Sequence, residues 1–451
     1  MKVTSLAIIP PPAANDGAKV TPELLASCLA RYSRSNKGID SILSGIDWKN
    51  PDKAVDAIFK FVDYGHASIG GLTGGVAITI DNCSMLLGYK LFEFAQLADG
   101  QESSTRYIEM RPESLCTPEE LGIAPMFAPE WSGVMADAFR IYGEVYRTLD
   151  SAAVANPEIV RYPSGASEKV KDRIRKNYAL DRARYLIPIA TKTNVGLIMT
   201  ARVWAQVIRQ VEALGWPEAL HCATLLRSEL EKFAPRLTRH SYADEASKSQ
   251  AQQENDACAE FIRKKGVGVA NVPDQVFVST EDSRPEFLPS YQELSQAFEK
   301  KANRYSLIGE RVRRMMVRFA WNNISIAELR DLNRHRSGCR GTPLYPVGFY
   351  LPQEVSHPEI PALLSRMGRL VRTLVDQPGA SGLHLYGYLF GVQVPFEHST
   401  HADKFIYEVE LRTGMGAHYR YAEHLEKVSR EFLKLHPEFQ PYVQIGTAEP
   451  E

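Results

Sequence analysis

Two short segments of the sequence carry side chains that could bind an anion. In QESSTRY (101–107), one turn offers three hydroxyl groups and a guanidinium, from Ser103, Ser104, Thr105 and Arg106. Such a turn predicts a phosphate cradle made of hydroxyls, backbone N–H groups and a charged donor. The alternative is a solvated turn that caps a helix.

The second segment, LNRHRSGCRG (332–341), is basic. It places three arginines around one histidine: Arg334, Arg336, Arg340 and His335. Cations this close repel one another unless an anion or several acids lie among them. An anion site and an exposed basic loop are both compatible with the pattern.

Other reactive groups of the chain do not predict chemistry of their own. HSTH (398–401), even together with His418, matches no strong metal-ligand spacing, so no metal is expected. Cys339 lies among arginines, but the sequence locates no base for it, so a nucleophilic role is not predicted. The sequence contains no P-loop, dinucleotide-binding or nucleophile-elbow signature.

Composition excludes several classes of protein. The 451 residues are 44% hydrophobic, 24% charged and 10% aromatic, which is ordinary globular usage. Lys and Arg total 53 against 54 Asp and Glu, so no broad surface for nucleic acid is expected. The sequence has no long apolar run and no export signal at its start, which predicts a cytoplasmic chain without a membrane span and with six reduced cysteines.

The elements that must position these groups alternate between helix and strand. Helical spacing appears in 87–100, 200–215 and 402–414, and strand patterns appear in 74–82, 317–323 and 392–399. This mixture predicts an α/β (α+β) protein. The polar segment 241–256 is either a linker or a solvated helix.

The same order of elements occurs twice. In each occurrence a strand leads to a helix and a polar turn, and a later apolar segment leads to a second strand or helix. The first occurrence lies before residue 240 and the second after residue 290. We therefore predict two related domains in tandem, residues 1–240 (the first half) and 290–451 (the second half). Residues 241–289 would form a linker or insert.

The two anion-binding segments resemble the signature of the flavin-dependent thymidylate synthases, the ThyX family. That signature reads R-H-R, a short gap and then N-E-x-S-x-R-Y. The first half keeps E-x-S-x-R-Y, and its R-H-R place falls on Phe94-Ala95-Gln96. The second half keeps Arg334-His335-Arg336 but has GTPLYP (341–346) in place of E-x-S-x-R.

Further motifs extend the resemblance to nucleotide binding. ARYLIP (183–188) is similar to the family's A-R-x-x-L-P, whose arginine holds nucleotide phosphate. LRTGMGAH places Arg412 where the family has the arginine that activates the base, and the first half has Val211 there. The resemblance implies that the nucleotide is bound by Glu102, Ser103, Ser104, Thr105, Arg106, Arg184, Asp331, Arg334 and Arg412, with Arg412 also catalytic.

Other motifs resemble the family's flavin-binding positions. GHAS (65–68) is similar to H-x-S, and TAR (200–202) is similar to the N-A-R of a flavin-contacting helix, with Thr200 in place of Asn. The resemblance implies that FAD is bound by His66, Ser68, Glu102, Thr200, Arg202, Gln206, Arg334, His335 and Arg336.

The losses in the two halves are complementary. The first half lacks R-H-R and the base-activating arginine, whereas the second half lacks E-x-S-x-R and the arginine of A-R-x-x-L-P. Family members build their sites between the subunits of a homotetramer. The resemblance therefore implies composite sites made from both halves, in a homodimer that imitates that tetramer.

The function implied by the resemblance is C5-methylation of a uracil nucleotide, dUMP to dTMP. FAD would be the cofactor, with NADPH and methylenetetrahydrofolate as co-substrates. Asp331 stands where a Gln would face the nucleotide, which keeps open a different nucleotide or different one-carbon chemistry on the same scaffold. A non-catalytic protein that binds nucleotide or flavin is the third reading.

Overall fold

The computed structural model describes most of the chain. The described residues are 1–8, 21–24, 26–27, 44–59, 75–106, 109–162, 164–282, 310–335, 337–379, 381–414 and 417–446. They form a mixed helix and sheet structure, as the sequence predicts.

The first sheet has four antiparallel strands in the order β1-β2-β4-β3. The strands are β1 (Lys2–Ile8), β2 (Val76–Ser84), β3 (Asp99–Glu102) and β4 (Lys192–Met199). Buried residues alternate along β2 and β4, so one face of this sheet packs on the core.

The second sheet repeats that order as β5-β6-β9-β7, with the short β8 also paired to β9. The strands are β5 (Val276–Glu281), β6 (Met316–Ser325), β7 (Cys339–Gly341), β8 (Gly348–Phe349) and β9 (Val392–His401). All pairs are antiparallel. In both sheets the pairing of the two central strands is irregular at one place. It lies between Ile80 and Cys83 of β2 in the first sheet and between Trp321 and Ile324 of β6 in the second.

The helices surround these sheets. Those before residue 240 are α1 (Asp52–Phe59), α2 (Met85–Phe94), α3 (Pro118–Leu121), α4 (Ala128–Ala155), α5 (Glu168–Ala183), α6 (Ala201–Ala213), α7 (Pro217–Glu231) and α8 (Pro235–Thr238). Those after it are α9 (Glu245–Lys265), α10 (Glu310–Arg314), α11 (Ile326–Leu332), α12 (Ile360–Val375), α13 (Ala402–Arg412) and α14 (Tyr419–Leu435). None of the described helices is long and apolar enough to cross a membrane.

Matching elements begin at matching residues in the two sheets. Ser84 ends β2 and precedes α2, and Ser325 ends β6 and precedes α11. Thr200 precedes α6, and His401 precedes α13. The same order of strands, capping residues and helices therefore occurs in both sheets.

The two halves join through backbone hydrogen bonds. Pro188 and Leu389 form an antiparallel bridge. Beside it, the N–H of Ile189 donates to the carbonyl of Tyr388 at 3.0 Å, and the N–H of Phe390 donates to the carbonyl of Ile187 at 2.9 Å. A single hydrophobic core includes residues of both sheets and of the helices around them. The halves therefore pack as one folded unit.

The segment between the two predicted domains is largely structured. Most of the polar segment 241–256 belongs to α9, which packs through the buried side chains of Cys258 and Ile262. The predicted linker 241–289 also contains β5, so the second sheet begins before residue 290.

Candidate functional site

Four arginines surround the carboxylate of Asp331, at the end of α11. Burial would raise the pKa of Asp331, but the nearby guanidinium groups outweigh it and lower that pKa below its ordinary value. These groups are Arg184, Arg106, Arg412 and Arg334. We call this set the Asp331 cluster. Two of its arginines come from the first half and two from the second, so the site is composite within one chain.

Arg184 lies in a single 3₁₀ turn after α5 and is almost completely buried. Its Nη1 lies 3.5 Å from Oδ2 of Asp331, and its Nη2 donates to the carbonyl of Ala327 at 3.2 Å. Its Nε is buried and has no hydrogen-bond partner among the described residues. A buried donor without an acceptor is costly, and an anion at this position would satisfy it.

Arg106 lies in the loop after β3 and is also buried. Its Nε and Nη2 donate to the two carboxylate oxygens of Asp181 at 2.9 and 3.1 Å. The Oγ of Ser104 accepts from the backbone N–H of Arg106 at 3.2 Å, which fixes the turn. Asp181 therefore orients the Arg106 guanidinium and offsets its charge.

Arg412 ends α13 and points back towards α11. Its Nη2 donates to the carbonyl oxygen of Asp331 at 3.0 Å, and its Nε donates to Nε2 of His335 at 2.6 Å. Burial and the neighbouring cations lower the pKa of His335 to about 4, although Glu408 opposes them. The imidazole is therefore neutral at pH 7 and can accept the hydrogen bond from Arg412.

Arg334 differs from the other three arginines. It is partly exposed and forms no ion pair with any residue that the structure describes. Its guanidinium still contributes to the field at Asp331. Arg334 is therefore the cluster's most available cation for a ligand.

Glu102 meets the second half through an ion pair with Arg330, and both side chains are buried. The Arg330 guanidinium also lies 5.0 Å from the ring centroid of Phe390. Sequence reasoning found Glu102 but missed Arg330 and Asp181. Asp181 lies three residues before Arg184 in LDRARY, and this position in the sequence could have marked it as a candidate site residue.

Three of the residues expected to bind flavin, Thr200, Arg202 and Gln206, are not members of the Asp331 cluster. Thr200 caps α6, where its Oγ1 accepts from the N–H of Val203 at 3.3 Å. Arg202 is partly buried on the same helix, and Gln206 lines a separate cleft. His66, Ser68 and Arg336 lie outside the described residues.

The predicted place of the lost R-H-R triplet needs a correction of one residue. Counted from the equivalent caps Ser84 and Ser325, the triplet corresponds to Glu93-Phe94-Ala95, not Phe94-Ala95-Gln96. The reason is that the first half has one residue more between its cap and β3 than the second half has between its cap and β7. Counting back from QESSTRY therefore shifts the register.

The region that carries half of this cluster matches a known family. The model of the thymidylate synthase complementing protein family, Thy1, matches residues 18–236. Over these residues the chain is similar to the Thy1 family. That range includes Arg106, Asp181 and Arg184.

Two curated relatives share the sequence of this chain only distantly. A UPF0159 protein of Chlamydia muridarum is 25% identical over 244 residues, which are 48% of this chain and 44% of the relative. The UPF0159 protein Ta1429 of Thermoplasma acidophilum is 25% identical over 236 residues, 46% of each chain. The matched region thus spans less than half the length of these relatives.

A solved structure also matches. It is the flavin-dependent thymidylate synthase ThyX of Helicobacter pylori, complexed with FAD and dUMP. It is 16% identical, covers 54% of this chain and 100% of its own, and has a TM-score of 0.29.

Proposed function

We propose that the Asp331 cluster binds dUMP and that the protein is a cytoplasmic, FAD-dependent enzyme that methylates C5 of this nucleotide to give dTMP. The observation that carries the proposal is the meeting of Arg106 and Arg184 with Arg334 and Arg412 around one carboxylate. The similarity of residues 18–236 to the Thy1 family supports the reaction class.

The nucleotide phosphate would bind on the Arg184 side of the cluster. A phosphate dianion offers several acceptor oxygens, and Arg184 has a buried Nε that needs one. Arg334 would supply a second charged donor, and the hydroxyl groups of Ser103, Ser104 and Thr105 would supply neutral ones. The phosphate must compete with Asp331 for Arg184, since their charged atoms already lie 3.5 Å apart.

The pyrimidine would lie against Arg412. As C5 becomes nucleophilic, negative charge develops on the base, and a fixed guanidinium stabilises it. His335 and the carbonyl of Asp331 hold Arg412 in one orientation, so little reorganisation is needed during the reaction. No protein nucleophile is required by this arrangement.

FAD would be held from one side by Glu102, Arg334 and His335, whose donor and acceptor groups suit a flavin edge. Bound FAD would supply the redox chemistry, with NADPH as reductant and methylenetetrahydrofolate as one-carbon donor. Thr200 and Arg202 lie outside the cluster, so a second copy of the chain would supply them. The proposal therefore includes a homodimer that acts as a pseudo-tetramer, each chain contributing two related domains.

A second candidate function follows from the carboxylates in the cluster. Asp331 pairs with Arg184, and Asp181 pairs with Arg106, so two of the four cations are already offset. The second candidate is a different nucleotide on the same scaffold, because Asp331 offsets part of the positive charge that would bind the dUMP phosphate.

Tritium release from 5-tritiated dUMP, with methylenetetrahydrofolate and NADPH, tests the proposal together with an absorption spectrum. We expect a flavin spectrum and tritium release in the wild-type protein. Arg334→Ala should weaken dUMP binding, whereas Arg318→Ala, which removes an exposed arginine of β6, should not. Flavin without tritium release would favour the second candidate, and a colourless protein that binds no dUMP would overturn both.

A further inference from the structure

A cleft of about 760 Å³ lies at the position in the first half that corresponds to the Asp331 cluster. Its walls are the end of α2, one face of α6, the middle of α9 and the loop that follows β7. We call it the amide cleft because five glutamines line it: Gln96, Gln206, Gln210, Gln250 and Gln253. We propose that the amide cleft binds an uncharged, planar heterocycle with an amide-like edge, such as a dioxopyrimidine ring.

The amide cleft lacks the cations of its counterpart. Counted from the caps Ser84 and Ser325, Glu93 takes the place of Arg334. Counted from the caps Thr200 and His401, Leu385 takes the place of Arg184. Pro346 corresponds to Arg106 by the pairing of β3 and β7 with their neighbours, and Val211 corresponds to Arg412. A phosphate dianion would therefore find none of the four guanidinium groups here.

The charged groups that remain are already paired. Nζ of Lys90 lies 2.6 Å from Oε2 of Glu93. Arg340 donates to the backbone carbonyl of Asn333, and Glu254 accepts from Gln250 at 3.3 Å. Two cations and two carboxylates leave the lining without net charge, which suits a neutral ligand.

The glutamine amides supply complementary hydrogen bonds. Each carries a carbonyl acceptor and two N–H donors, the same groups that a lactam or imide edge presents. The Oε1 of Gln210 is buried and has no partner among the residues that the structure describes. A ring N–H in the cleft would satisfy it.

Aromatic rings complete the lining. Tyr345 stacks on Phe261 with ring centroids 4.9 Å apart and an angle of 8° between the planes, so its orientation is fixed. Phe94 lines the same cleft. Planar heterocycles stack on such faces, and the volume of the cleft is within the range typical of small-molecule sites.

Calorimetric titration of the full chain tests this inference with two uncharged probes, deoxyuridine and riboflavin, which share the dioxopyrimidine edge. We expect at least one probe to bind with a Kd below about 1 mM. Gln210→Leu should weaken that binding about tenfold, because it removes one buried hydrogen bond. Gln252→Leu, on the α9 helix but outside the amide cleft, should leave it unchanged.

The Arg334→Ala variant separates this site from the Asp331 cluster, because the proposed function places Arg334 against both the nucleotide and the flavin there. Binding of the uncharged probe should persist in Arg334→Ala, and the probe with the higher affinity identifies whether a nucleoside or a flavin ring is preferred. Binding that is lost in Arg334→Ala and unchanged in Gln210→Leu would overturn the inference, as would no binding of either probe. Neither result depends on whether the protein methylates dUMP.

Discussion

The hydroxyl of Tyr386 donates to Oε2 of Glu218 at 2.7 Å, across the junction of the two halves. The same carboxylate accepts from the N–H and the Oγ of Ser84 at 2.6 and 2.7 Å, and so fixes the start of α2. In the reverse direction, Tyr185 donates to Glu328 at 2.5 Å, and Glu328 accepts from the N–H of Ser325. Each half thus supports the start of one helix of the other, α2 in the first half and α11 in the second.

The reciprocal tyrosines should contribute to stability from both sides of the junction. We expect Tyr386→Phe and Tyr185→Phe each to lower the free energy of unfolding by about 1–3 kcal/mol, because each leaves a buried carboxylate without one donor. Urea denaturation measures the loss. Tyr242→Phe, at an exposed tyrosine, is the matched control and should change little. Equal effects of all three substitutions would contradict a special role for the junction.

Arg412→Ala should remove turnover while leaving the nucleotide bound. Charge on the base develops only along the reaction, so the loss should be in kcat, roughly a hundredfold to a thousandfold. Steady-state kinetics with dUMP measures it. Wild-type turnover in this variant would defeat the proposed role of Arg412.

The role of Arg106 is tested by substituting Arg106 and Asp181 together, because Asp181 would otherwise remain buried without its partner. Arg106→Ala alone should cost about 3–5 kcal/mol of stability. The double variant Arg106→Ala/Asp181→Asn should recover most of that loss and show a raised KM for dUMP, because phosphate is charged before and during the reaction. Thermal unfolding and kinetics on both variants check this, and an unchanged KM in the double variant would remove Arg106 from the phosphate site.

Three histidines with lowered pKa values predict a pH dependence of stability. Burial is the main cause that lowers the pKa values of His335, His384 and His424 from 6.5 to about 4. Between these pH values the unfolded chain binds protons that the folded chain does not. Above pH 6.5 these histidines therefore do not change the free energy of unfolding. As the pH drops from 6.5 towards 4, each of them lowers it by about 1.4 kcal/mol per pH unit.

His384→Asn tests that slope without touching the Asp331 cluster. The free energy of unfolding is measured at several pH values in this range. Its decrease with falling pH should be less steep in this variant than in the wild type, by about 1.4 kcal/mol per pH unit. His221→Asn, at an exposed histidine, should keep the wild-type slope. An identical slope in wild type and His384→Asn would show that His384 is not neutral in the folded protein.

The proposed assembly predicts two chains and two flavins per particle. Thr200 and Arg202 lie outside the Asp331 cluster, so the proposed flavin site would take them from a second chain. Light scattering combined with flavin titration measures both quantities. A stable monomer with full activity would count against this assembly.

Local patterns predicted most of the elements near the site. Helices expected over 200–215 and 402–414 are observed at Ala201–Ala213 and Ala402–Arg412, because their apolar spacing and caps are encoded locally. In contrast, the predicted helix 87–100 ends at Phe94, and β3 begins at Asp99. The pairs Glu102–Arg330 and Glu218–Tyr386 join residues far apart in sequence, so no local spacing could indicate them.

The two halves that meet at Pro188 and Leu389 belong to one polypeptide, so a constraint on symmetric dimers does not apply to them. In a homodimer, every substitution occurs at both copies of a site, so the two copies cannot diverge. Here Glu93 and Arg334 occupy corresponding positions with opposite charges inside one polypeptide. One gene product can therefore keep two unlike sites, the Asp331 cluster and the amide cleft, and the arginines of the first and the glutamines of the second come together within one chain.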